Sequence, residues 1–239
     1  MEHHCGMIFR QLFDASSSTY TYLIAAERER TALIIDPVRE QLDQYLLLLR
    51  QLDLTLLAAI DTHTHADHIT ALAGLRDSTG CTTVMGMHSQ ADCVDSKLRD
   101  GEALEIGGME LRALYTPGHT DESYSFVLEG RRPWLVFTGD ALLIRGTGRT
   151  DFQGGDPRRS WDSIVNKLFR LPDDTLVYPG HDYRGWSVSS IGEEKAHNPR
   201  LAGKTQAEYV ALMQKLELPQ PRLMSIAVPA NLACGRDQP

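Results

Sequence analysis

The chain has no apolar run near the roughly 20 residues that a membrane-crossing helix requires; its most tempting stretch, Leu46–Leu49, is one face of a helix. It has no lysine- or arginine-rich run either. Its 24 basic residues stand against 32 acidic ones, for a net charge of −8, so the basic stripe of a nucleic-acid surface is missing. No membrane or nucleic-acid partner is expected. No internal repeat, low-complexity segment or linker divides the chain, and 239 residues at 42% hydrophobic can bury one large core. We therefore expect a single domain over residues 1–239. Cysteine is scarce: Cys5, Cys81, Cys93 and Cys234 form no CxxC pair, and a domain of this size needs no disulfide, so reduced thiols are expected. An apolar strand beginning near Met7 leaves no room for a signal peptide. The expected location is the cytoplasm of a bacterium, or the mitochondrial matrix for a mature eukaryotic form. His3 and His4 read as a solvated terminus rather than a metal site.

What the chain does have is concentrated in Thr62-His63-Thr64-His65-Ala66-Asp67-His68, directly after the apolar run Leu54–Ile60. Three imidazoles and a carboxylate in six positions serve no helix core or buried strand, because each ring nitrogen needs a partner. Imidazole is the commonest transition-metal ligand, and a carboxylate completes the set. Further donors follow at later strand ends: His119 in Pro117-Gly118-His119-Thr120, Asp140 in Thr138-Gly139-Asp140, and His181 after Tyr178-Pro179-Gly180. The neighbouring glycines permit sharp turns and close backbone approach, so the next side chain can enter a shared cleft. The order HxHxDH, GHT, TGD, GH resembles the metallo-β-lactamase superfamily over most of the chain. The missing basic stripe argues against the nuclease branch of that superfamily.

A coarse reading gives strands at Met7–Phe13, Thr19–Ala26, Thr31–Ile35 and Leu54–Asp61, with others near Thr82–Met85, Glu102–Ile106 and Met109–Tyr115. Gly107-Gly108 joins the last two as a hairpin. Ser123–Leu128 and Trp134–Phe137 form a second hairpin around Gly130. Asp36-Pro37 reads as the cap and first residue of a helix whose apolar face is Val38, Leu42, Tyr45/Leu46 and Leu49. Asp67–Asp77 reads as a second helix, with Asp67 and His68 at its N-terminal end. Asp156-Pro157 opens a third, bearing Trp161, Ile164, Val165, Leu168 and Phe169 and ending before Pro172. Thr205 and Glu208 form a capping box ahead of Tyr209, Leu212, Met213 and Leu216. The expected fold class is α/β: an αββα metallo-β-lactamase sandwich of two mixed β-sheets flanked by helices.

The donors allow two arrangements. His63, His65 and His119 could hold one metal and Asp67, His68 and His181 a second, with Asp140 bridging; such a pair suits hydrolysis. Alternatively His63, His119 and Asp140 alone form a two-histidine, one-carboxylate facial triad, which leaves about three open positions on an octahedral iron(II). Ligand types do not choose between them.

Sequence outside the donor set does. Residues 138–153, Thr138-Gly139-Asp140 through Gly146-Thr147-Gly148-Arg149-Thr150-Asp151-Phe152-Gln153, closely resemble the persulfide dioxygenases, a sulfur-oxidising branch of this fold. So do Tyr178-Pro179-Gly180-His181-Asp182-Tyr183, Asn198-Pro199-Arg200-Leu201 and Ala227-Val228-Pro229-Ala230-Asn231-Leu232-Ala233-Cys234-Gly235. The resemblance spans about residues 7–235. It implies one Fe(II) per chain, held by His63, His119 and Asp140, which are the catalytic as well as the metal residues. His65, Asp67, His68 and His181 would stay off the metal and support it. It implies conversion of glutathione persulfide, with dioxygen and water, to sulfite and glutathione. Thr120, Arg149, Tyr183 and Arg200 are the candidate substrate-binding residues; Arg149 equally suits bracing of its loop through carboxylates. Thr147 stands where several relatives have cysteine, so that cysteine is dispensable here. The alternative is a glyoxalase II-type thioester hydrolase with a dinuclear site, but the 58 residues after His181 (239 − 181) are few for the helical region that grips glutathione in that family. Many persulfide dioxygenases carry a fused rhodanese; none is expected in this chain, so any sulfurtransferase partner would be a separate protein. A homodimer is expected.

Overall fold

The computed structural model describes residues 6–130, 132–219 and 223–236; His3, His4 and Cys5 lie outside them. β1 (Met7–Asp14), β2 (Thr19–Ala26), β3 (Thr31–Ile35), β4 (Thr55–Ile60), β5 (Thr82–Gly86) and β6 (Ser96–Leu98) form one sheet in that spatial order. β1, β2 and β3 pair antiparallel, and β3 through β6 run parallel. The second sheet contains β7 (Ala103–Ile106), β8 (Met109–Tyr115), β9 (Tyr124–Leu128), β10 (Leu135–Gly139), β11 (Leu176–Pro179) and β12 (Ser189–Ser190), ordered β12-β11-β10-β9-β8-β7. Its β10–β11 pair is parallel and its others are antiparallel. Both sheets are therefore mixed, as expected.

Alternation along the strands explains the layering. In β2, Tyr20, Tyr22 and Ile24 face the second sheet, where they join Ile106, Leu111, Ala113, Tyr124, Phe126 and Phe137 in the central core. Leu23 and Ala25, from the same strand, point the other way and meet the helices α1 (Leu42–Gln51) and α2 (Leu72–Thr79). The outer face of the second sheet, with Val127, Val136 and Val177, is covered by α3 (Pro157–Asn166), α4 (Ile191–His197) and α5 (Gln206–Gln214). Each large apolar side chain fully removed from water contributes about 1.5–3 kcal/mol. A last helix, α6 (Met224–Leu232), lies against Ile69. Among the described residues no helix is long and apolar enough to cross a membrane.

Two hydrogen bonds join the sheets beside the donor loops: the Tyr22 hydroxyl donates to the Pro179 carbonyl at 2.6 Å, and the Tyr20 N–H to Gly180 at 2.8 Å. The predicted caps form. Asp156 accepts from the N–H groups of Arg158 and Arg159 with Pro157 at the first helical position, and Thr205 with Glu208 makes the reciprocal capping box.

Several expectations need correction. Asp36 does not cap a helix: its φ is +51°, a 3₁₀ turn spans Arg39–Gln41, and α1 begins only at Leu42. Its carboxylate turns inward to the histidine loop instead. Asp67–Asp77 is not helical at its start, because the chain stays irregular through Ala71. The loop's carbonyls and amides are satisfied from elsewhere, by Asn231 and Pro37. Leu168 and Phe169 fall in a 3₁₀ turn after α3. The thiols are not all reduced: Cys93 and Cys234, 141 residues apart, form a disulfide, while Cys81 is free and buried. A pairing at that separation leaves no local spacing pattern to read.

Candidate metal centre

Each donor sits where a strand ends. β4 runs into His63, His65 and His68; β8 leads to His119; β10 leads to Asp140; and β11 leads to His181. The parallel register of β10 with β11 places Gly139 opposite Pro179, so Asp140 and His181 emerge side by side.

One ligand atom from each of His63, His119 and Asp140 falls within 4.8 Å of the others. The His119 Nε2 and Asp140 Oδ2 atoms are 3.5 Å apart, and the His63 and His119 rings meet edge-on with centroids at 4.9 Å. Every member is held by its other polar atom. His119 Nδ1 donates to the Arg149 carbonyl at 2.8 Å, His63 Nδ1 lies 2.9 Å from the Thr62 hydroxyl, and Asp140 Oδ1 accepts from His181 Nδ1 at 2.7 Å. This leaves both imidazole Nε2 atoms and one carboxylate oxygen for an ion. Burial, with the neighbouring His65 and His119, depresses the His63 pKa well below the usual histidine value, so its ring is in the neutral form that coordinates metals. Burial opposes the charge on Asp140, but His181 outweighs it and holds the carboxyl well below the usual range. Two imidazole nitrogens and a carboxylate oxygen fit a divalent transition-metal ion.

The other donors are engaged differently. His181 stands between two carboxylates, with Nε2 2.8 Å from Asp67 Oδ2. Burial disfavours its cation, yet Asp140 and Asp67 outweigh burial and raise its pKa well above the ordinary value. An imidazolium with both nitrogens bound has no lone pair to give a metal. Asp67 Oδ2 also accepts from His68 Nδ1 at 3.0 Å and from the Thr19 hydroxyl at 3.1 Å. His65 turns its Nε2 to Asp36 Oδ1 at 3.1 Å; despite burial, that pair and Asp61 push His65 up to about 9. His65, Asp67 and His68 nevertheless lie within 4.8 Å of one another, and His65 Nδ1 and His68 Nε2 are buried with no hydrogen-bond partner.

The four candidate substrate residues are held by different partners. Thr120 is buried and bonds Ser123 in the turn after His119. Tyr183 is 74% exposed and stacks on the His181 ring at 6.1 Å. Arg149 pairs with both oxygens of Asp151, donates to the carbonyls of Pro219 and Leu218, and lies over the Phe152 ring. Arg200 donates to the Thr147 carbonyl at 2.6 Å and to its hydroxyl at 3.2 Å. Both arginines thus brace the loop that follows Asp140.

Sequence reasoning missed two supports. Asp36 accepts the Thr62 N–H at 2.7 Å and its hydroxyl at 3.0 Å, so through Thr62 it steadies His63 while also binding His65. Asn231 accepts the Thr70 N–H and donates to the carbonyls of His65 and His68. Asn231 was within reach, since it lies in a segment that resembles the family; Asp36 was read as a cap.

Comparison with known proteins agrees with this geometry. The model of the metallo-beta-lactamase superfamily matches residues 16–181. The mitochondrial persulfide dioxygenase ETHE1 of Bos taurus is 44% identical over 244 aligned residues, covering all of this chain and 94% of that protein. The chain belongs to the persulfide dioxygenase family. The crystal structure of ETHE1 from Myxococcus xanthus superimposes with a TM-score of 0.92 at 54% identity, covering 96% of this chain and all of that one. A hydroxyacylglutathione hydrolase of Rhodopseudomonas palustris is a more distant relative, 35% identical over 188 residues, or 77% of this chain and 71% of that protein. A persulfide dioxygenase of this family shares its scaffold with hydrolases, so the donor arrangement has to distinguish them.

Proposed function

We propose that the protein oxidises glutathione persulfide with dioxygen and water to sulfite and glutathione, at a single iron(II) held by His63, His119 and Asp140. The observation that supports this reading is the double pairing of His181 with Asp67 and Asp140, which occupies both nitrogens of His181 and one oxygen of Asp67. Iron(II) in the remaining triad supplies open coordination positions and a redox change that zinc lacks. The residues around it hold the triad. The Arg149 carbonyl fixes the His119 tautomer, Thr62 and Asp36 orient His63, and the His181 cation fixes one Asp140 oxygen and keeps the carboxylate ionised. The exposure of Tyr183, stacked on the His181 ring, supports a role in contacting an arriving persulfide-bearing peptide.

A second reading rests on a specific observation: the unpartnered His65 Nδ1 and His68 Nε2 beside Asp67. If a second metal bound there, the site would resemble that of a thioester hydrolase. One experiment separates the two. The protein is given glutathione with elemental sulfur while dissolved oxygen and sulfite are followed, and S-lactoylglutathione in a parallel vessel. Oxygen uptake with sulfite release, and about one iron per chain by elemental analysis, are the expected results. Thioester cleavage without oxygen use, or two metals per chain, would replace the dioxygenase by the hydrolase.

A further inference from the structure

We infer that residues 231–235 are a clamp on the histidine loop, and that Cys93 is a modification site at which a small thiol opens it. The clamp holds the loop at four points. Asn231 takes the Thr70 N–H at 2.8 Å and gives its amide protons to the carbonyls of His65 and His68 at 2.9 Å each. The Cys234 carbonyl accepts from the Ala73 N–H at 3.0 Å. The fit is tight enough that a Cβ on Gly235 would stand 1.9 Å from the Thr70 carbonyl oxygen. The metal loop is thus fixed at its back by a segment more than 160 residues away in sequence.

Around these hydrogen bonds the non-covalent hold is mixed. α6 has a small buried contact, Ile69 with Ala227 and Ala230, while Leu223 and Ile226 at its start are exposed. Beyond it Cys234 packs in the core under α1 and α2, Arg39 donates to the Gly235 carbonyl at 3.3 Å, and Arg236 pairs with Asp77. The Cys93–Cys234 disulfide adds a covalent tether. Its far end is anchored independently of the clamp: the Cys93 carbonyl accepts from Arg76 of α2 at 2.7 Å, and Asp95 bonds the Thr83 N–H and hydroxyl of β5. Cutting the tether therefore leaves α6 and residues 231–235 on their non-covalent contacts alone and loosens them without releasing the β5–β6 connection.

The two sulfurs differ in access. Cys234 is fully buried and Cys93 only partly buried, so a thiolate from solvent meets the sulfur of Cys93 first. A bond forms between that thiol's sulfur and Cys93, the Cys93–Cys234 bond breaks, and Cys234 leaves with the electron pair and takes up a proton. A second thiolate attacking the outer sulfur of the mixed disulfide releases the small-molecule disulfide and leaves Cys93 reduced. Two thiols are oxidised and one protein disulfide is reduced. Taking glutathione as the thiol rests on the proposed function; the clamp does not.

The test uses the full iron-loaded chain. It is incubated with millimolar glutathione, trapped with an alkylating agent and mapped by peptide mass, with the free Cys81 as internal reference. Amide hydrogen exchange is followed before and after opening, and in Cys93→Ser. The expected results are a glutathione adduct on Cys93 and exchange of the amides of residues 65–73 that is faster by about tenfold or more, because local opening of the loop then becomes easier. The strand amides of β2 and β10 should be unchanged. A disulfide that survives the thiol, an adduct on Cys234 instead of Cys93, or unchanged exchange in the loop of both the opened protein and Cys93→Ser would overturn the clamp; so would equal acceleration in the core strands, which would mean global unfolding. Oxygen uptake by the oxidised form is read separately. An enzyme that takes glutathione at Cys93 yet consumes no oxygen would retire the proposed activity and leave the clamp standing.

Discussion

His181 Nδ1 and Asp140 Oδ1 lie 2.7 Å apart, which ties a histidine that looks like a ligand in the sequence to a carboxylate proposed to be one. Replacing His119 with Ala removes a metal bond and should empty the site. Replacing His181 with Ala removes only the group that orients Asp140, a loss that typically costs about 10–100-fold in metal affinity or activity. His181→Ala should purify with substantial iron and reduced oxygen uptake. Equal iron loss in both variants, measured by elemental analysis, would put His181 on the metal.

Gly148 packs against the same centre from another side. A Cβ there would meet the Asp140 carbonyl oxygen at 2.1 Å and His119 Nδ1 at 2.9 Å. Neither neighbour is the free end of a flexible chain, so the loop must move. Gly148→Ala should keep the fold, judged by far-ultraviolet circular dichroism, and lose bound iron. An alanine variant with full iron content would show that the 140–149 loop yields without disturbing its ligands.

Glu194 is completely buried and accepts from the Arg145 main chain, its guanidinium, the Ser189 hydroxyl and the Asn198 amide. Asn198 in turn donates to the Gly146 carbonyl. Removing one member of a buried charged network leaves the others uncompensated, at a cost of about 3 kcal/mol or more. Glu194→Ala should lower the urea midpoint by a corresponding amount at constant slope. A change under about 1 kcal/mol would mean the network relaxes onto water.

Acid sensitivity has an identifiable contributor in Asp100. Burial opposes its charge, but hydrogen bonds from Lys167 and the Tyr115 N–H outweigh it and hold its pKa below the ordinary carboxylate value. A carboxylate with a depressed folded-state pKa stabilises above its unfolded value, and that stability is lost as pH falls through the folded one. Asp100→Asn should therefore be less stable than the parent near neutrality, with the difference shrinking below about pH 4. A difference that stays constant with pH would assign the loss to packing.

The sequence made some elements plain and hid others for physical reasons. β1, β2 and β3 fall where runs rich in Ile, Leu, Tyr and Thr place them, and the caps at Asp156 and Thr205 form as the residue types require. The proposed ligands were found because glycine-flanked donors at strand ends have few other uses. α6 was hidden: Met224–Leu232 is apolar on every side and carries Pro229, so it has no helical stripe to read. β6 and β12 are three and two residues long, too short for any periodicity. Asp36 was misassigned because Asp-Pro is also the pattern of a helix start, and only tertiary structure shows the carboxylate turned toward Thr62 and His65.

The two sheets contribute unequally to the triad: His63 follows β4 of the first, and His119 and Asp140 follow β8 and β10 of the second. An ion held by all three works as a rivet through the seam of the sandwich. Its binding free energy is then shared with the docking of one half-molecule on the other, so metal affinity and sheet-to-sheet cohesion become a single thermodynamic quantity. Withdrawing such an ion would loosen that seam, leaving two of its three ligands on the second sheet and one on the first.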